Sequence, residues 1–114
     1  MADGPLAASL EAIEAETRQE LEAKHAAREQ ALVESRALVR LCANAIRAVH
    51  REEFDRAAEM LAEARGISSR LAEALRAHQD LYWAGYVQDA QKELVEAYVT
   101  FRAVRGEPLP LPTE

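Results

Sequence analysis

Apolar and small residues recur along this chain at alternating spacings of four and three, the period of one face of an α-helix. From Pro5, which suits a helix's first turn, no glycine or proline interrupts the pattern until Gly66. Ala31, Ser35, Leu38, Cys42, Ala45 and Val49 form a narrow seam in the second half of this stretch. The first half carries a thinner apolar stripe of Leu6, Leu10, Ile13 and Leu21, which suits a segment that projects or packs in an oligomer. After a short connection near residues 50–53, a second seam follows: Phe54, Ala57, Leu61, Ala64, Ser68, Leu71 and Leu75. Its register holds on both sides of Gly66, which predicts one helix that tolerates the glycine at a cost of about 1 kcal/mol.

The segment "RAHQDLYW" carries a break, with Asp80 as the expected N-cap of a third helix. That helix presents Val87, Ala90, Leu94 and Phe101 on its apolar face, and Gly106 with prolines 108, 110 and 112 ends it. The pattern therefore predicts an all-α chain: an antiparallel bundle of three long helices, at about 6–50, 53–77 and 81–105. Residues 1–114 are expected to form a single helical domain with an extended, proline-rich tail at 106–114.

Composition narrows the class. The chain has 114 residues, of which 49% are hydrophobic and 30% charged, too apolar for a disordered chain and too charged for a membrane span. The start "MADGPLAASLEAIEAE" lacks the basic-then-apolar order of a signal peptide. The single cysteine, Cys42, fits a reducing compartment. These features predict a cytoplasmic protein without membrane partners.

The net charge of −6 excludes a chain that coats nucleic acid indiscriminately, but it hides an asymmetry. Residues 1–34 carry eight acids against three bases, whereas residues 35–51 contain Arg36, Arg40, Arg47 and Arg51 and no acid. With Arg36 at zero on a helical wheel, Arg40 lies at about 40°, Arg47 at about 20° and Arg51 at about 60°, opposite the seam. Such a row, about 20 Å long, can hold phosphates without reading bases, or it can be an ordinary solvated face.

A second stripe lies in "YVQDAQKELVEAY", where Asp89, Glu93 and Glu96 are spaced by four and three. On the wheel these acids flank the apolar face rather than oppose it, a position where a groove could hold Mg²⁺ between carboxylates, water and phosphate. The same stripe can also be solvated, with Lys92 paired to Glu96 or Asp89. His25, His50 and His78 lack metal-ligand spacing. Tyr82, Trp83 and Tyr86 either pack against neighbouring helices or offer faces on which unpaired bases stack.

The stretch "LYWAGYVQDAQKELVEAYVTFRAVRGEPLP", together with "IRAVHREEFDRAAEMLAEAR" at 46–65, resembles the translin family, above all its single-chain microbial members and translin-associated factor X. The resemblance implies an all-helical protein that binds single-stranded RNA or DNA. It also implies assembly, as a homo-oligomer or with a translin-like partner; the family forms closed hollow octamers. In its catalytic branch, a metal-dependent endoribonuclease, both glutamates of an E-x-x-E motif serve the site. They match Glu93 and Glu96 here, which makes these residues the implied catalytic and metal-binding pair for Mg²⁺ or Mn²⁺. Asp89 inherits no role. The family's remaining catalytic acids lie on a later helix; this chain looks like the N-terminal half, and the resemblance implies at most half of such a site. The rival reading is a non-catalytic helical module for oligomerisation and interaction.

Overall fold

Alanine, leucine, glutamate and arginine dominate the chain, and all four lose little freedom in a helix. The computed structural model describes residues 4–108, and among them every regular element is helical. Helix α1 spans Gly4–His50, α2 Phe54–Ala74, α3 Gln79–Tyr82 and α4 Gly85–Arg105. Residues 109–114, most of the expected tail, lie outside the described residues.

The seams predicted from spacing are the faces that pack. Ala31, Ser35, Leu38, Cys42, Ala45 and Val49 of α1 are buried, as are Ala57, Leu61, Ala64, Leu71 and Leu75 of the second seam. Val87, Ala90, Leu94, Ala97 and Phe101 of α4 complete the core. Glu34 of α1 approaches Arg70 of α2 at 4.0 Å, and the Ser68 hydroxyl of α2 donates to Gln91 Oε1 of α4. Tyr98 Oη donates to the Leu61 carbonyl at 3.3 Å, one helical segment further along. Helix α2 is thus antiparallel to both α1 and α4, which run parallel to each other.

Two boundaries differ from the pattern. Asp80 does not cap the last helix. It lies inside the one-turn α3, and its carboxylate reaches across to Lys24 of α1. This ion pair holds its pKa below the usual carboxylate range. Chain direction changes again at Trp83–Ala84, so α4 starts at Gly85 rather than Leu81, behind an extended Ala84 that gives no side-chain cap. Helix α2 likewise ends at Ala74, and residues 75–77 form a turn in which His78 N donates to the Leu75 carbonyl at 2.9 Å.

Helices α1 and α4 close in the same way at their C-terminal ends. Gly106 takes φ 73° after α4, with Gly106 N on the Ala103 carbonyl and Glu107 N on that of Arg102. After α1 the equivalent left-handed position is held by Glu52, at φ 62°, with Glu52 N on the Val49 carbonyl and Glu53 N on that of Ala48. These paired bonds satisfy carbonyls that a helix end otherwise leaves open.

Helix α1 would be about 70 Å long at 1.5 Å per residue, and the molecule measures 77 × 22 × 19 Å. Lys24 marks where α1 first meets the rest of the chain. The residues before it project as an exposed arm, with Leu6, Leu10, Ile13 and Leu21 all open to solvent.

Gly66 sits in mid-helix, as predicted. A Cβ built there would meet only the Nη1 of Arg70, at an ordinary 3.6 Å. Gly66→Ala should therefore stabilise the fold by up to about 1 kcal/mol. In thermal unfolding followed by circular dichroism, this corresponds to a rise of roughly 4–8 °C. A lower melting temperature would show that the helix needs the glycine for a reason other than tolerance.

Candidate nucleic-acid interface

Arg36, Arg40 and Arg47 project from the outer face of α1, because the opposite face carries the small residues that pack against α2 and α4. All three are exposed. Arg51 is exposed too and lies one residue beyond α1, its amide still held by the Arg47 and Ala48 carbonyls at 3.2 and 3.1 Å. None of the four makes an ion pair among the described residues. Arg47 donates instead to Asn44 Oδ1 at 2.6 Å. In a chain with 20 acids and 14 bases, a cation has ample choice of carboxylates, yet this row takes none.

At the end of the row, α1 turns into α2. There Arg56, three residues after the turn's Glu53, comes beside Arg47 and Arg51, and the three guanidinium side chains line one hollow of about 160 Å³. Sequence spacing missed Arg56, since a helical wheel compares residues of one helix only.

The acidic stripe lies on the neighbouring helix. Because α1 and α4 run parallel, Arg36 and Asp89 line the same 380 Å³ groove, together with Leu32, Ser35, Val39 and Tyr86. The Ser35 hydroxyl and the Tyr86 phenol are buried there without a hydrogen-bond partner among the described residues. Asp89 is exposed, while Glu93 is half-buried and close enough to Cys42 to affect its ionisation. Glu96 is exposed and faces Lys92 at 3.9 Å, the i,i+4 pairing that its spacing allows. Among the described residues, no group of three or more His, Cys, Asp or Glu side chains converges as a metal centre would require. Glu93 and Glu96 are thus at most two ligands from one helix. A hydrated Mg²⁺ held by them would take its other ligands from water, phosphate or another chain.

The aromatic residues around the start of α4 differ in burial. Tyr86 packs beneath Leu71 and Leu75 with the partly buried Tyr82, whereas Trp83 remains exposed, its ring set edge-on to Tyr82 at 5.2 Å.

Cys42 is fully buried in the α1 seam. Burial, and secondarily the negative charge of Glu93, pushes its thiol up to about 11. The folded chain then holds a proton that the unfolded chain releases from about pH 9 upward. The stabilisation is complete below that value and is lost as pH rises through 11. Relative to Cys42→Ala, wild-type stability in urea should fall by on the order of 2 kcal/mol between pH 8 and 10.5. At pH 8 the folded thiol should react with a soluble disulfide reagent only as fast as the chain unfolds. Immediate labelling of the native protein would contradict this burial.

No family model, curated protein or solved structure matches the chain, so the resemblance to translins stands without support from these comparisons. None of the described helices is long and apolar enough to cross a membrane.

Proposed function

We propose that this chain is a translin-like helical protein that binds single-stranded RNA or DNA along the arginine row of α1. One observation carries the reading: Arg36, Arg40 and Arg47 stand exposed on one side of α1 and Arg51 just past its end, all four without a carboxylate partner among the described residues. Guanidinium groups so displayed match phosphate oxygens and carry no base preference. Asp89 beside Arg36 moderates the field at one end, which favours a strand entering from the Arg47–Arg51 side. The reading stops at binding, because the two glutamates that match the family's motif gain no third ligand among the described residues. The test is fluorescence anisotropy with a labelled single-stranded oligoribonucleotide across a salt series. The affinity should fall steeply with salt and barely vary with base sequence.

A second reading, assembly through helix faces, is favoured by the arm. On a helical wheel Leu6, Leu10, Ile13 and Leu21 lie within about 75° of the line that Ala31, Ser35 and Leu38 follow into the core. The buried seam therefore continues as an uncovered stripe. A largely apolar notch of about 540 Å³, lined by Ala27, Ala31, Leu71 and Leu75 but also by Gln30, Glu34 and Arg70, opens where the arm leaves the body. Both readings can hold together, since the stripe and the arginine row occupy different faces of α1.

A further inference from the structure

We infer that the hollow at the α1–α2 corner is a seat for a terminal phosphate monoester of the bound strand, a deepening that rests on the nucleic-acid reading above. Three observations meet there. Arg47, Arg51 and Arg56 line the hollow with one acid, Glu53, so its formal charge is +3 − 1 = +2. A phosphate monoester carries about −1.5 to −2 at neutral pH, and an internal phosphodiester only about −1. The charge of the hollow thus complements a strand end and exceeds what a strand interior supplies.

Two of the three guanidinium groups also have polar partners at the rim. Arg56 Nη1 is held by Glu53 at 3.4 Å, and Arg47 Nη2 by Asn44 at 2.6 Å. Arg51 has no such partner among the described residues and is left to close on the ligand. The buried Ala48 and the partly buried Met60 form an apolar floor continuous with the core. The corner itself is fixed by the paired bonds from Glu52 N and Glu53 N to the Val49 and Ala48 carbonyls. Guanidinium groups held in place lose less freedom on binding than free ones.

Finally, the hollow is not isolated. Arg47 and Arg51 belong to both the row and the hollow, so a strand lying along α1 arrives at it. That continuity favours a nucleic-acid end over a phosphorylated peptide, which would have no use for Arg36 and Arg40. The hollow, of about 160 Å³, lies at the surface, where a group tethered to a strand can reach it.

The experiment compares one labelled oligoribonucleotide in three forms: 5′-phosphorylated, 3′-phosphorylated, and hydroxyl at both ends. At least one phosphorylated form should bind ten or more times tighter than the dihydroxyl form, and millimolar inorganic phosphate should erase the advantage. Arg56→Ala should abolish the advantage, bringing the phosphorylated strand's affinity down to that of the dihydroxyl strand measured on the same variant. Glu53→Gln should keep or enlarge it. Both variants, altered at partly or fully exposed positions, should keep the wild-type circular dichroism spectrum. Equal binding of all three forms overturns the seat and leaves the row standing. Absence of binding by every form overturns both. A phosphoserine peptide that binds as tightly as the phosphorylated strand, unaffected by Arg36→Ala, overturns the assignment to nucleic acid.

Discussion

Replacing Arg36, Arg40 and Arg47 together with alanine is expected to weaken binding of single-stranded RNA by roughly 10–100-fold at moderate salt. The slope of log affinity against log salt should flatten by about 2, since each phosphate of a single strand left without its cation removes about 0.7. The fold should be unaffected. All three side chains are exposed, none makes an ion pair among the described residues, and alanine is the strongest helix former. The substitution removes the hydrogen bond from Arg47 to Asn44, which is itself exposed to solvent. Asp89→Asn should act in the opposite direction, tightening binding modestly, because it removes the negative charge that shares a groove with Arg36. Unchanged affinity in a triple variant with a normal helical spectrum would reduce the row to solvated surface.

The wild-type chain should self-associate at micromolar concentration through its arm, and Leu10→Glu with Ile13→Glu should raise the dissociation constant by about 100-fold or more. A helical segment draws most of its stability from covering an amphipathic face rather than from propensity, and the arm's face is uncovered. Burying a leucine or isoleucine is worth about 1.5–3 kcal/mol, and each apolar pairing between copies draws on both of them. Placing a carboxylate at either position forfeits that burial and adds to an arm already rich in acids. Both side chains are exposed, so the double variant should keep its core and its melting transition. Multi-angle light scattering that finds the wild type monomeric at tens of micromolar would end the assembly reading.

The three packed seams are legible from spacing because each depends on residues within one helix. Ala31 to Val49 and Phe54 to Leu75 need only the period of the α-helix and the absence of breakers. The break before α4 is legible too, but its chemistry is not. Asp80 satisfies the sequence rule for an N-cap, yet Lys24, 56 residues away, offers it a stronger partner. The arginine row can be read for the same reason as the seams. Its surroundings cannot: that Asp89 stands beside Arg36, that Glu93 lies near Cys42, and that Arg56 joins Arg47 are consequences of how helices are stacked and turned. No spacing along one helix encodes that register. The acidic stripe shows the limit most plainly, since its three-four spacing fits a solvated face and a half-formed site equally, and only neighbouring helices separate the two.

The parallel course of α1 and α4 brings both of their C-terminal ends to one end of the body. Arg105 there lies 5.8 Å from the ring of Phe54, the residue that opens α2. Arg47, Arg51, Arg56 and Arg105 collect at this pole with Glu52, Glu53, Asp55 and Glu107, so its charge is nearly balanced, while the opposite pole is the arm, which between residues 4 and 23 carries five acids and one base. Most of the net charge of −6 on this 77 Å body therefore lies toward the arm. A polyanion would be repelled least at the corner, which would steer its approach to that end. Such steering acts on the rate of encounter more than on the lifetime of the complex, and it fades as salt shortens the reach of the field to about 8–10 Å.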